Sequence, residues 1–324
     1  MVHAWTRLAL WSGLAAALAA SAGPARASAS DVVSRTFAET TAEVSAYWTP
    51  ERIAAARPAS ELLAGLQPSA ATGDLIGGGN GARRTAQAVP SPAKAPYRAH
   101  GKVLFSLGGT PYQCSATSVT AKTKRLVMTA GHCVFDAREG GFARNWMFIP
   151  GKSGSSEPYR RWTAKRLATT RQWAESTRNN SINDDDVRFD VGFATMQKRK
   201  GRRLQSVVGA RRIAFNRSPG HFDAFGYPAQ APFDGSEPYV CSSPNLGRDT
   251  GPPPRPMTID CDMTGGASGG SWISGHRITS VTSYSYEPSC TIIICGPDPD
   301  GDRLYGPFLG ETIQDLYRSQ RRRR

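Results

Sequence analysis

From Tyr97 onward the chain is cut into short apolar runs that no helix could use. The runs are "KVLFSL", "QCSATSVT", "RLVMTA", "NWMFIP", "DVGFATM", "HFDAFGYP", "PMTIDCDM", "GSWISG" and "RITSVTSYSY". Each is strand-sized, rich in β-branched and aromatic residues, and bounded by Gly, Pro, Asn or Asp. Strands at this spacing, with no helical pattern between them, predict antiparallel pairing in an all-β barrel or sandwich. One helix is expected at the end, in "LGETIQDLYRSQ", where Ile313, Leu316 and Tyr317 share a face. The expected body is residues 97–319, with residues 320–324 a solvated basic tail.

The N-terminal third has a different texture. Arg7 precedes an apolar run from Leu8 to Ala20, and "GPARAS" supplies an Ala-x-Ala site ending at Ala27. Residues 1–27 therefore read as a signal peptide, and the protein as secreted and extracellular. The run falls short of the roughly 20 residues a membrane helix needs, so no stable membrane insertion is expected. Residues 28–96 read as a propeptide and linker. Its first part is helical: Thr49 caps, Pro50 opens a helix, and Ser60 caps a second in "ELLAGL". The stretch 67–96 is rich in Gly, Pro, Ala and Ser and reads as a flexible linker.

Six cysteines (Cys114, Cys133, Cys241, Cys261, Cys290 and Cys295) suit an exported chain and allow 15 disulfide connectivities. No C-x-x-C occurs, so no structural zinc, and no other metal, is expected. "GPDPDGD" at 296–302 lacks the glycine position and bidentate Glu of a calcium loop and reads as a turn. The formal net charge is +14. It admits an anionic cell wall as a contact. No nucleic-acid partner is expected: "QKRKGRR" at 197–203 has no interleaved aromatics and belongs to no nucleic-acid module.

Chemistry concentrates in three places. "TGGASGGSW" sets Ser268 among glycines. A serine hydroxyl needs a base before it becomes a nucleophile, and the oxyanion it creates needs convergent N–H donors. Glycine permits the positive-φ turn that aims such donors, and Gly266 and Ser268 would supply them. "VMTAGHCV" offers His132 as the base, with His100, His221 and His276 as competitors. "FDVGFATM" offers Asp190 at the head of an apolar strand, a better orienting acid than Asp184, Asp185 or Asp186 in the polar loop "NNSINDDDVR".

"TAGHC", "DVGF" and "GGASGGSW", in the order His, Asp, Ser, resemble the trypsin/chymotrypsin-like serine proteases, in particular the bacterial secreted branch similar to glutamyl endopeptidases. "AFGYP" at 224–228 resembles a stretch of that branch too. The resemblance covers about Gly101 to Tyr317. It implies a double six-stranded antiparallel β-barrel with the site between the barrels. It implies His132, Asp190 and Ser268 as catalytic residues, Gly266 and Ser268 as the oxyanion hole, and a Cys114–Cys133 disulfide. Ser283, Tyr284 and Ser285 would line the substrate side, with protein or peptide as substrate and no cofactor. The remaining cysteines are expected to pair as Cys241–Cys261 and Cys290–Cys295. Three departures stand out. Ala267 replaces the acid that receives a freed N-terminus in animal relatives. Thr282 and Ser283 stand where glutamate-specific relatives carry a pocket His. Asp262 lies near the pocket carboxylate position of the trypsin-like members. The expected function is a secreted serine endopeptidase made as a zymogen. The rivals are a catalytically silent binding protein and a serine esterase.

Overall fold

The computed structural model describes residues 1–2, 31–63, 84–179, 184–249, 251–286, 290–291, 294–295 and 303–322. The signal-peptide reading, most of the linker and the stretch 296–302 lie outside them. Three short strands come from the N-terminal segment: β1 (Val32–Thr36), β2 (Arg57–Pro58) and β3 (Gln87–Ala88). Six barrel strands follow: β4 (His100–Leu107), β5 (Thr110–Val119), β6 (Leu126–Thr129), β7 (Arg144–Pro150), β8 (Trp162–Thr170) and β9 (Gly192–Met196). These six pair antiparallel in the order β8-β9-β6-β5-β4-β7, and β7 pairs back onto β8, so the barrel is closed. Closure removes the unpaired edges that an open sheet would present.

Alternation along each strand sorts side chains between the inside and outside of this barrel. Val103, Phe105, Cys114, Ala116, Val127, Phe148 and Ala194 share the interior core. Leu104, Met147 and Ile149 face the other way and are still buried, because Val44 and Trp48 of the N-terminal segment cover them. That explains why "KVLFSL" and "NWMFIP" read as continuous apolar runs. The covering residues belong to helix α1 (Thr41–Tyr47), closed by a Thr40–Glu43 capping box, and the turn after it. Helix α2 (Pro50–Ala54) follows, with the Thr49 hydroxyl accepting the Arg52 N–H, as the sequence predicts.

Two features of this segment differ from the sequence expectation. Residues Val32–Thr36 are a strand paired with β8, because their extended edge finds unpaired carbonyls and amides there. Ser60 does not cap a helix; it sits inside a single 3₁₀ turn, Ala59–Leu63, whose Ala59, Leu62 and Leu63 are buried in the barrel core cluster.

The second half contains β10 (His221–Gly226), β11 (Tyr239–Pro244), β12 (Met257–Asp260), β13 (Ser271–Ser274), β14 (Arg277–Val281) and β15 (Arg303–Gly306). Strands β14-β13-β10-β11-β3 form one sheet, and β12 and β15 pair in another. Both contribute to one core of Phe222, Ala224, Met257, Ile259, Trp272 and Leu304. The Cys241–Cys261 disulfide ties them together, and Cys114–Cys133 forms in the first half. Both match the expected pairings. Cys290 and Cys295 face each other across a two-residue-strand hairpin, and their side chains lie outside the described residues. Helix α3 (Arg171–Ser176) precedes the Asp190 loop, and α4 (Glu311–Gln320) ends the body. Ile313, Leu316 and Tyr317 of α4 pack on Leu126 and Phe193 from one half and Ile273 and Ile278 from the other. No described helix is long and apolar enough to cross a membrane.

His100 lies at the junction of the halves, stacked on Phe225 at 4.3 Å between centroids and within reach of the Thr117 and Ser271 hydroxyls. Burial, with a smaller contribution from Arg211, pushes its pKa down from 6.5 to about 3. The folded state therefore keeps this ring neutral where the unfolded chain protonates it. Its contribution to stability is complete above about pH 6.5 and is lost as pH falls toward 3. The melting temperature is expected to drop over that window, and His100→Gln is expected to flatten the drop. An unchanged acid limb in the variant would remove His100 from the account.

Candidate active site

The segment after β6 turns sharply so that His132 enters the barrel junction. Gly131 makes the turn possible: a side chain there would meet Asp190 Oδ1 at 2.8 Å and the Trp173 ring at 2.9 Å. His132 donates its backbone N–H to Asp190 Oδ1 at 2.7 Å, and its ring Nδ1 lies 2.8 Å from Asp190 Oδ2. A carboxylate oxygen can only accept, so Nδ1 carries the proton and Nε2 of the neutral ring presents a lone pair. That Nε2 is buried and has no hydrogen-bond partner. Both side chains are fully buried. Among the acids weighed in sequence, Asp190 is the one that meets His132.

Ser283 donates its hydroxyl to Asp190 Oδ2 at 2.5 Å. The segment after β14 thus braces the acid from the second half, while His132 approaches from the first. Disulfide Cys114–Cys133 fixes the residue beside His132 to the neighbouring strand β5. The carbonyl of Ser268 lies 3.8 Å from Cys133 Sγ, a packing contact, since the disulfide sulfur carries no proton. The Ser268 loop therefore sits against the residue next to His132. Ser268 is 3% exposed. Its hydroxyl and His132 Nε2 are not hydrogen-bonded to each other in this structure. Such contacts are often long before substrate binds.

The loop around Ser268 is held by its backbone. Ala267 N–H donates to Thr264 O, Gly270 N–H to Ala267 O, and Gly269 N–H to Thr282 O at 2.8 Å. Gly266 has φ +98° and Gly269 has φ +79°, a region that favours glycine. Among the described residues, neither the Gly266 N–H nor the Ser268 N–H has an acceptor. Two unused amides, separated by Ala267 in a hydrogen-bonded turn, are what a developing oxyanion needs.

Ser115 is a residue that sequence reasoning missed. Its hydroxyl donates to Gly266 O and accepts from Tyr227 N–H, each at 2.8 Å, and its own N–H donates to Ser268 O at 2.7 Å. It joins the first half to the Ser268 loop at Gly266 and at Ser268. The signal was slight: a serine directly after Cys114, whose hydrogen-bond partners lie 112 to 153 residues away. Gly226 in "AFGYP" has a packing reason, since a side chain there would meet Ala267 at 2.8 Å.

The substrate-side residues divide. Ser283 and Tyr284 are buried, and Ser285 is exposed. The Tyr284 backbone N–H and carbonyl both bond to Tyr305, and its hydroxyl donates to Asp249. The Ser283 carbonyl accepts from no described donor. Asp262 Oδ1 accepts the Ala86 N–H at 2.6 Å, so the N-terminal segment already engages this carboxylate.

That segment also reaches the Ser268 loop. Strand β2 pairs in parallel with Tyr112 and Gln113, and Gln113 Nε2 donates to Ala56 O at 2.7 Å. Arg138 Nη2 donates to Leu62 O at 2.6 Å. Pro58 and Ser60 lie against Gly265, where a side chain would meet Pro58 Cβ at 2.9 Å. The two groupings that bring cysteines near His132 or Asp262 use sulfurs already joined in disulfides.

No protein-family model matches the chain. Two solved structures match its body at substantial identity. The protease Anisep from Arthrobacter nicotinovorans is 35% identical, with a TM-score of 0.58, over 71% of this chain and 98% of that one. The thermostable serine protease AL20 from an extremophilic microorganism is 33% identical, with a TM-score of 0.59, over 69% of this chain and 97% of that one. A glutamyl endopeptidase of Bacillus licheniformis is 33% identical over 104 residues, 32% of this chain and 31% of the relative. The chain thus spans about a third of the length of the curated relatives it matches. Identity at this level over nearly the whole of two protease folds, together with the closed barrel, shows that the chain belongs to the bacterial chymotrypsin-like serine proteases.

Proposed function

We propose that the chain is the precursor of a secreted serine endopeptidase that cleaves peptide bonds through Ser268, His132 and Asp190. The observation that carries this reading is the state of the His132 ring: Nδ1 is held by Asp190 at 2.8 Å, and Nε2 is left without a partner beside the Ser268 loop. In the first step Ser268 Oγ gives its proton to Nε2 and bonds to the substrate carbonyl carbon. The carbonyl oxygen becomes an oxyanion and takes the unused Gly266 and Ser268 N–H groups. His132 then returns the proton to the leaving amine, and an acyl ester on Ser268 remains. Water repeats the sequence: His132 accepts its proton, the ester breaks, and Ser268 Oγ is restored. The free Ser283 carbonyl is suited to accept the N–H of the residue being cleaved, in the manner of an added strand.

The reading is tested by hydrolysis of an unstructured protein and a peptide library by the processed chain. Cleavage lost in both Ser268→Ala and His132→Ala supports it. Turnover of simple esters with intact peptides would instead favour an esterase, and no turnover at all a binding role.

The precursor reading rests on residues 56–63, which pair with Tyr112 and Gln113 and run beside the Ser268 loop at Gly265. Arg84 and Thr85 are exposed, next to the dibasic Arg83–Arg84. Arg84 N–H meets Asp260 Oδ2 at 3.2 Å and Ala86 N–H meets Asp262 Oδ1, so an amine freed at Thr85 would lie between two carboxylates. N-terminal sequencing of protein from culture medium is expected to give a start between 84 and 97. Fully active material beginning at Ser28 contradicts the precursor reading.

A further inference from the structure

At the far end of β5 from Ser115, three segments converge on a cavity of about 630 Å³ lined by Lys122, Thr123, Arg125, Lys198, Arg203 and Arg322. Five of these six residues are cationic and none is acidic. They come from the turn between β5 and β6, from the hairpin after β9 and from the end of α4. Backbone bonds hold the three together: Lys122 N–H to Arg321 O at 3.0 Å, Gln205 N–H to Lys124 O at 3.0 Å, and Met196 N–H to Arg125 O at 2.8 Å. The hairpin is closed by reciprocal bonds between Arg199 and Arg202.

Like charges gathered this closely ordinarily recruit carboxylates. Here none of the five cationic side chains has an ion-pair or hydrogen-bond partner among the described residues. Partial burial and the neighbouring Arg203 both depress the pKa of Arg125, so the repulsion is uncompensated. The Thr123 hydroxyl in the same wall is shut from solvent and has no hydrogen-bond partner. Lys122, Lys198, Arg203 and Arg322 are exposed and Arg125 is half-buried, so their donors are open to a ligand at a cavity whose size suits a small one. The wall holds no aromatic ring, so bases and sugars would find no stacking platform. Planar guanidinium forks and point-like ammonium groups are both phosphate binders.

We propose that this cavity binds a compact oligophosphate, a run of adjacent phosphate groups held through their oxygens, at a site separate from the catalytic residues. It does not depend on the catalytic reading. Titration calorimetry of the full chain with sodium tripolyphosphate tests it. Binding is expected at 50 mM salt and is expected to weaken steeply as salt rises. Arg125→Gln with Arg203→Gln is expected to weaken binding at least about 10-fold per arginine lost, the cost of a charge-assisted contact, and to make the salt dependence shallower. The control is Arg212→Gln with Arg277→Gln, two exposed arginines paired on adjacent strands and outside the cavity lining, which remove the same charge. Control affinity within about 2-fold of the parent supports the site. Equal losses in both double variants would reduce the effect to net charge and overturn it. So would undiminished binding in the first variant, absence of tripolyphosphate binding in the parent, or binding of heparin alone. Melting curves of each variant separate a lost site from a lost fold.

Discussion

Replacing Asp190 by asparagine is expected to lower kcat about 10⁴-fold with KM little changed. That is about 5.4 kcal/mol of transition-state stabilisation at 1.36 kcal/mol per decade. The reason is local. Asp190 accepts from the His132 N–H, the His132 ring and the Ser283 hydroxyl at 2.7, 2.8 and 2.5 Å. An asparagine amide can present its oxygen to only part of this set. Wherever its NH₂ faces Nδ1, the ring must turn that nitrogen into an acceptor and carry its proton on Nε2. The base then has no lone pair for the Ser268 proton. Volume is conserved, so packing around Trp173 and Gly131 should survive, and steady-state kinetics alongside a melting curve separates the chemical effect from a structural one. Near-parental kcat in a folded Asp190→Asn protein would move the orienting role to another acid.

Gly266→Ala is expected to cost about 10²–10³ in kcat, the usual loss of one oxyanion donor. Gly266 holds φ +98°, where an alanine is strained, and its new methyl would meet Tyr227 O at 2.6 Å. The turn must open, and opening it withdraws the Gly266 N–H from the place it shares with the Ser268 N–H. The Ser115 bond to Gly266 O would stretch with it. Acylation should slow while peptide affinity, set farther along the cleft, changes little. An ordinary kcat in this variant would mean that the oxyanion is held by other donors.

What could be read in the sequence follows from where the constraints are local. The three short motifs were legible because each packs its chemistry into a few consecutive residues: a glycine-cushioned serine, a histidine after a strand and beside a cysteine, an acid at a strand head. The Cys114–Cys133 pairing followed from family likeness. Thr49 and Pro50 announced a helix start for the same local reason. Ser115 was illegible, because nothing in "QCSATSV" says that its strand will lie beside Gly266 and Tyr227. The N-terminal strand Val32–Thr36 was hidden likewise: its paired residues on β8 lie 130 to 138 residues on. The basic hairpin at 197–203 was visible as charge. Its meeting with Lys122, Arg125 and Arg322 is a product of topology, and topology decides whether a charged run is a solvated loop or part of a cavity. Tyr284, placed by likeness on the substrate side, has its ring stacked on Tyr305 at 5.0 Å and its backbone tied there.

The most direct measurement is peptide mapping of the processed chain after reaction with a fluorophosphonate. A single phosphonyl adduct on the peptide containing Ser268, absent when His132 is alanine, is the result this account requires. An adduct on a different residue, or none in folded, processed protein, would contradict it.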